Sequence, residues 1–153
     1  MKHLFSILLI SILSLPVLAG DFELDFLSNK DGTRTIIHNP DDWMLASSTA
    51  GFDLYIDKTL TKERRPIYLL HSVTVLKPPR TFVGVDGIID RIYTNGVLMC
   101  DEAIIVLASE FFTDKNGAVK FYTSFESSSY IVEVSTKNTA RNEVYSMLCK
   151  DTI

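Results

Sequence analysis

Ile67-Tyr68-Leu69-Leu70-His71-Ser72-Val73-Thr74-Val75-Leu76-Lys77 is the longest β-branched run of the chain, and its alternation decides the fold class. Successive side chains of a strand point to opposite faces. Ile67, Leu69, His71, Val73 and Val75 therefore share one side, and Tyr68, Leu70, Ser72, Thr74 and Leu76 the other. Both sides are too apolar for an edge, so the run reads as a central strand. Pro78-Pro79 is expected to stop it, because proline has no N–H to give to a ladder, and residues 83–87 read as a loop.

Working outward from that run, residues 88–94, 96–107 and 118–123 carry further strand patterns. Asn95-Gly96 and Asp114-Lys115-Asn116-Gly117 are the strongest turn signals between them. A serine-rich connection, 125–129, leads to a last strand at 130–134. Upstream, Phe52, Leu54 and Ile56 form one face of a strand, Trp43 opens an extended segment, and the charged residues 61–65 read as a solvated turn. Phe22, Leu24 and Phe26, a turn at 28–32 and residues 33–37 read as a small β-hairpin. The one helix expected covers 139–149, capped by Ser135, Thr136 or Asn138, with Ala140, Val144, Met147 and Leu148 on one stripe. These elements define a single α+β domain: a mostly antiparallel β-sheet meander with a C-terminal helix packed on it.

The chain has two cysteines, Cys100 and Cys149. Cys149 ends the helical stripe, and a disulfide to Cys100 on a central strand would hold that helix to the sheet. Closing such a loop stabilises a fold by about 4 kcal/mol on the chain-entropy model. A redox-active pair normally has its cysteines two residues apart at a helix start, which these are not.

The expected disulfide agrees with the N-terminus. Lys2 and His3 precede an apolar stretch over 4–14, then Pro16 and Val17-Leu18-Ala19, the pattern of a signal peptide cleaved after Ala19. The stretch is shorter than the about 20 apolar residues a membrane span needs, so no span is expected after cleavage. No cysteine follows the cut for lipid attachment. The expected organisation is a signal peptide at 1–19, an N-terminal extension at 20–42 and a domain at 43–153, exported to the periplasm or secreted to the cell surface. After removal of residues 1–19, 14 Lys and Arg face 19 Asp and Glu, a net charge of −5. That balance argues against nucleic-acid binding, which uses a basic face to displace counterions.

The sequence offers little chemistry. Beyond His3 only His38 and His71 occur, not at metal-ligand spacing, and no metal or cofactor is expected. Asp41-Asp42 and Asp101-Glu102 are adjacent pairs whose members point to opposite strand faces, so neither is a ready acid–base dyad. No catalytic residues are assigned, and the chain is read as a non-enzyme. Lys58, Lys62, Arg64 and Arg65 form the one basic cluster and are the candidate partner-binding residues, suited to an acidic protein or glycan. The rival reading is a hydrolase or ligand carrier with a concave site near His71, Asp86 and Asp90.

Trp43, then Tyr55-Ile56-Asp57-Lys58-Thr59-Leu60-Thr61-Lys62, then Cys100 and Cys149 resemble the surface-adhesin protein E family. In that family an early Trp leads to a Tyr-x-Asp-x-(Ser/Thr)-(Ile/Leu)-x-(Lys/Arg) segment. The chain departs from the pattern where Met99 precedes Cys100, where Tyr130 stands in place of a late Trp, and over 22–42. The resemblance implies a bacterial envelope protein with an antiparallel sheet and a disulfide-tied C-terminal helix. It also implies adhesion to host extracellular-matrix or serum proteins. The expectation is thus an exported, non-enzymatic binding protein; the alternatives are a periplasmic accessory of an envelope assembly, a small ligand-binding protein or a hydrolase.

Overall fold

The run quoted above is the first part of a longer strand. In a computed structural model of the protein, which describes residues 26–28, 34–36, 39–58, 62–64, 67–125, 131–134 and 139–149, this strand spans 16 residues. In chain order the elements are β1 (Phe26–Ser28), β2 (Arg34–Ile36), β3 (Trp43–Ser48), β4 (Phe52–Asp57), β5 (Lys62–Arg64), β6 (Ile67–Phe82), β7 (Val85–Met99), β8 (Ile104–Thr113), β9 (Val119–Ser124), β10 (Ile131–Glu133) and α1 (Thr139–Cys149). β6 pairs with β7 from Ile67 opposite Met99 to Phe82 opposite Val85. β4 and β5 follow one another along the other edge of β6, and β3 closes the sheet on β4. On the far side β8 pairs with β7, and β9 and β10 share its outer edge. Every pairing is antiparallel. β1 and β2 form a separate hairpin with Phe26 opposite Ile36. The signal-peptide segment, the helix-capping residues 135–138, His38 and Tyr130 lie outside the described residues.

The α+β fold is the one the alternation and the helical stripe imply. α1 lies on one face of the sheet, where Val144 and Cys149 pack against Ile56, Leu70, Leu98 and Ile105. The Cys100–Cys149 disulfide fixes its C-terminal end. Tyr145 adds to the clasp by donating its hydroxyl to the Cys100 carbonyl at 3.0 Å. The opposite face has its own core of Ile36, Val73, Tyr93 and Phe111, and Trp43 meets Tyr93 edge-on at 6.0 Å. Ile36 comes from the β1–β2 hairpin, so residues before 43 contribute to this second core. Among the described residues no helix is long and apolar enough to cross a membrane.

Several local expectations give way to the sheet. Pro78-Pro79 does not end β6. The prolines fall where the ladder is interrupted, between Val75 opposite Arg91 and Arg80 opposite Ile89, so their missing N–H groups break no pairing. The expected loop at 83–87 reduces to a Val83-Gly84 turn, with Gly84 at φ 79. Residues 61–65 are not simply a turn, since Lys62–Arg64 pairs with β6 as β5. The expected strand over 96–107 is two strands joined by a turn at 100–103, so Cys100 opens that turn rather than sitting within a strand. Met147 is turned outward at 39% exposure, while Ala140 and Val144 of the same stripe are buried.

Asn95-Gly96 is the instructive case. Its turn chemistry is overridden and both residues sit inside β7. Asn95 opposes Ser109 but Gly96 opposes Leu107, so Ala108 of β8 is an extra, bulged residue. The buried Asn95 Nδ2 donates to Ser109 Oγ at 3.0 Å. A Cβ on Gly96 would stand 2.7 Å from the Val106 carbonyl oxygen, closer than real Cβ contacts come. The Asp114 turn does form: Asp114 Oδ1 accepts from the N–H groups of Asn116 and Ala118, and Gly117 takes φ 81. Gly96→Ala is expected to cost about 1–3 kcal/mol in urea unfolding through this backbone clash. Gly51→Ala, where the nearest atom is 4.0 Å away, should stay within about 0.5 kcal/mol. Equal costs at the two sites would contradict the close approach at Gly96.

Candidate functional site

The helix face of the sheet is only partly covered by α1. From the clasp at Cys149, the helix leads back to Ala140 and Arg141 over the middle of the sheet, leaving a cleft of about 250 Å³ beside them. Leu54, Leu70 and Leu107 form its apolar floor, with Val144 as a wall. Ser72, Thr74 and Thr94 bring hydroxyls, and the bare backbone of Gly96 keeps the space open.

The bulge at Ala108 decides which charge enters. From Leu107, which faces the cleft, strict alternation would send Ser109 to the helix side and Glu110 to the other. The extra residue reverses this, so that Ser109 meets Asn95 on the far side and Glu110 lines the cleft. The half-buried Glu110 accepts a hydrogen bond from the Thr94 hydroxyl at 3.4 Å. Burial pushes its carboxyl above the ordinary value of 4.5, opposed by the Thr94 bond and by attraction to Arg141. A carboxylate held in a cleft against its own preference marks a functional-site candidate. A second, shallower recess of about 170 Å³ lies among Pro40, Trp43, Tyr55, Val75 and Arg91.

The sequence pattern does not single out Glu110, because the strand it predicts ends at Leu107. The available signal was a lone carboxylate inside an apolar run, Ile104 to Phe112. The residues it did single out are placed as follows. Lys58 is exposed just after β4, and its N–H donates to the Asp42 carbonyl at 2.8 Å. Lys62 and Arg64 hold alternate positions of β5, opposite Leu69 and Ile67. Lys62 and Arg64 thus lie on the edge strand β5, whereas Lys58 follows β4, an inner strand on the same side of β6 that β3 covers; Arg65 lies outside the described residues.

The rival trio is not brought together. His71 is buried at 1% exposure on the face away from the cleft, opposite Asn95. Asp90 pairs with Arg91 at 3.3 Å and Asp86 is exposed. Both are at least five residues along β7 from Asn95, about 16 Å or more at 3.3 Å per residue. Among the described residues no group of three His, Cys, Asp or Glu is placed to hold a metal ion.

The comparisons with known proteins add no relative: no family model, no curated protein and no solved structure matches the chain.

Glu110 ties the cleft to a pH test. Its native pKa is raised, so between the ordinary value and the raised one the native state binds more protons than the unfolded state. Stability then falls as pH rises through that window and stays lower above it. Glu110→Gln removes this cost. Thermal unfolding should find the variant more stable than the parent at neutral pH, with the gap closing as pH falls to 4.5 and below. A pH-independent gap would contradict the buried-carboxyl assignment.

Proposed function

We propose that the chain is an exported, non-enzymatic binding protein of the bacterial envelope, periplasmic or secreted to the surface. It docks an acidic protein or glycan through Lys58, Lys62, Arg64 and Arg65. The observation that carries the reading is that the positions lie on two successive strands flanking the same side of β6: exposed Lys58 at the end of β4, and Lys62 and Arg64 at alternate positions of the edge strand β5. A cluster of this sign on a chain of net charge −4 is a local attractor for anionic surfaces. The disulfide supports export, since such bonds persist outside the reducing cytosol. The resemblance to the surface-adhesin protein E family narrows the partner to host matrix or serum proteins.

A specific observation favours a second reading, the accessory of an envelope assembly. Val83 and Ile88, at 106% and 61% exposure, sit at the tip of the β6–β7 hairpin. This tip extends beyond Leu76, the last β6 residue paired with β4, and beyond Arg91, the last β7 residue paired with β8. Apolar side chains on such an arm suit insertion into a protein partner.

Surface plasmon resonance of the oxidised protein over immobilised matrix proteins, heparin and the chain's own envelope extract tests both readings. The charge reversal Lys58→Glu, Lys62→Glu, Arg64→Glu, Arg65→Glu is expected to weaken matrix or glycan binding about tenfold or more, mainly through slower association. Binding that survives the reversal would refute the basic cluster as the docking site. Capture confined to envelope proteins and lost with Val83→Ser and Ile88→Ser would favour the accessory.

A further inference from the structure

We propose that the cleft between α1 and the sheet binds a small zwitterion with an apolar body, a free aliphatic α-amino acid. The ammonium sits on Glu110, the carboxylate on Arg141 and the side chain on Leu54, Leu70 and Leu107. This site is separate from the basic cluster, and it stands or falls independently of the docking partner.

Size is the first constraint. At about 250 Å³ the cleft lies below the roughly 300–1,000 Å³ of pockets for drug-sized ligands, so a lipid or a peptide is too large and one residue-sized molecule fits. Charge is the second. Glu110 and Arg141 line the same cleft and attract one another. An alkanoate on Arg141 would leave Glu110 without a cation, and an alkylamine on Glu110 would leave Arg141 without an anion. A ligand carrying both charges satisfies both walls.

The local chemistry suits each end. A carboxylate offers about four acceptor sites, and the Thr94 hydroxyl uses one with a long 3.4 Å bond, leaving Glu110 with capacity for an ammonium. A cation at that point also offsets the cost of burying the carboxylate, whose pKa burial has raised. Arg141 already has an interaction of its own, and the five N–H donors of a guanidinium give it capacity for a carboxylate as well. Between them Leu54, Leu70, Ile105, Leu107 and Val144 outnumber the single aromatic ring, Phe52, a mostly aliphatic lining that suits a branched aliphatic side chain better than a sugar.

Isothermal titration of the oxidised protein with L-leucine tests the assignment, alongside leucine stripped of one charge: 3-methylbutylamine, which lacks the carboxylate, and 4-methylpentanoate, which lacks the amine. Leucine is expected to bind about tenfold or more tightly than either analogue. Glu110→Gln, a near-isosteric change, should weaken leucine by a similar factor without weakening 4-methylpentanoate, whereas Lys58→Glu should change neither. A mutation-independent check on the unaltered protein is backbone amide NMR, in which leucine should shift Thr94, Gly96 and Arg141. No leucine binding, equal binding by Glu110→Gln, or shifts clustered away from those amides would overturn the proposal.

Discussion

β6 and β7 pair from Ile67 opposite Met99 to Phe82 opposite Val85, and the rest of the sheet is assembled on that pair. β4 and β5 use the free edge of β6, β8 uses the free edge of β7, and the outer strands attach to β4 and β8. With neighbours on both edges, β6 and β7 also need apolar residues on both faces. Leu70 and Leu98 serve the helix side, and Val73 and Tyr93 the other. The disulfide depends on the same pair, because β7 ends at Met99 and delivers Cys100 to the turn where α1 is clasped.

The candidate site follows from two small irregularities in this framework. Gly96 lets the Val106 carbonyl come close, and next to it the extra residue Ala108 rotates the remainder of β8 by one position. That rotation carries Glu110 to the helix side, beneath the end of α1 that the disulfide leaves unclasped. Bulges that re-aim one side chain are a common way for a sheet to present a polar group without losing its ladder. The energetic consequence is a carboxyl whose charged form is disfavoured by its surroundings. Natural structures concentrate such local costs at functional sites.

Much of the fold was legible in the residues. Alternation over 67–77, the stripe ending at Cys149 and the Asp114 turn each express a local rule that the tertiary structure leaves in force. The misreadings share a cause, which is that long-range pairing outweighed local punctuation. Asn95-Gly96 favours a tight turn in isolation, yet here Asn95 is buried against Ser109 and Gly96 against a neighbouring backbone. Pro78 and Pro79 were compatible with a continuing strand because the ladder is interrupted around them. Glu110 was invisible for a related reason: its face depends on a one-residue bulge, and no periodicity in the sequence records a register shift.

Compartment and construction meet in the bond between Cys100 and Cys149, since an exported chain can keep it and the helix that roofs the cleft is held by it. Non-reducing peptide mapping of the native protein from fractionated cells, with the N-terminus read in the same experiment, tests this most directly. The account predicts Cys100 and Cys149 in one cross-linked peptide pair, in the extracytoplasmic fraction, on a chain beginning at Gly20. Two free thiols on a cytoplasmic chain that still carries Lys2 and His3 would contradict it.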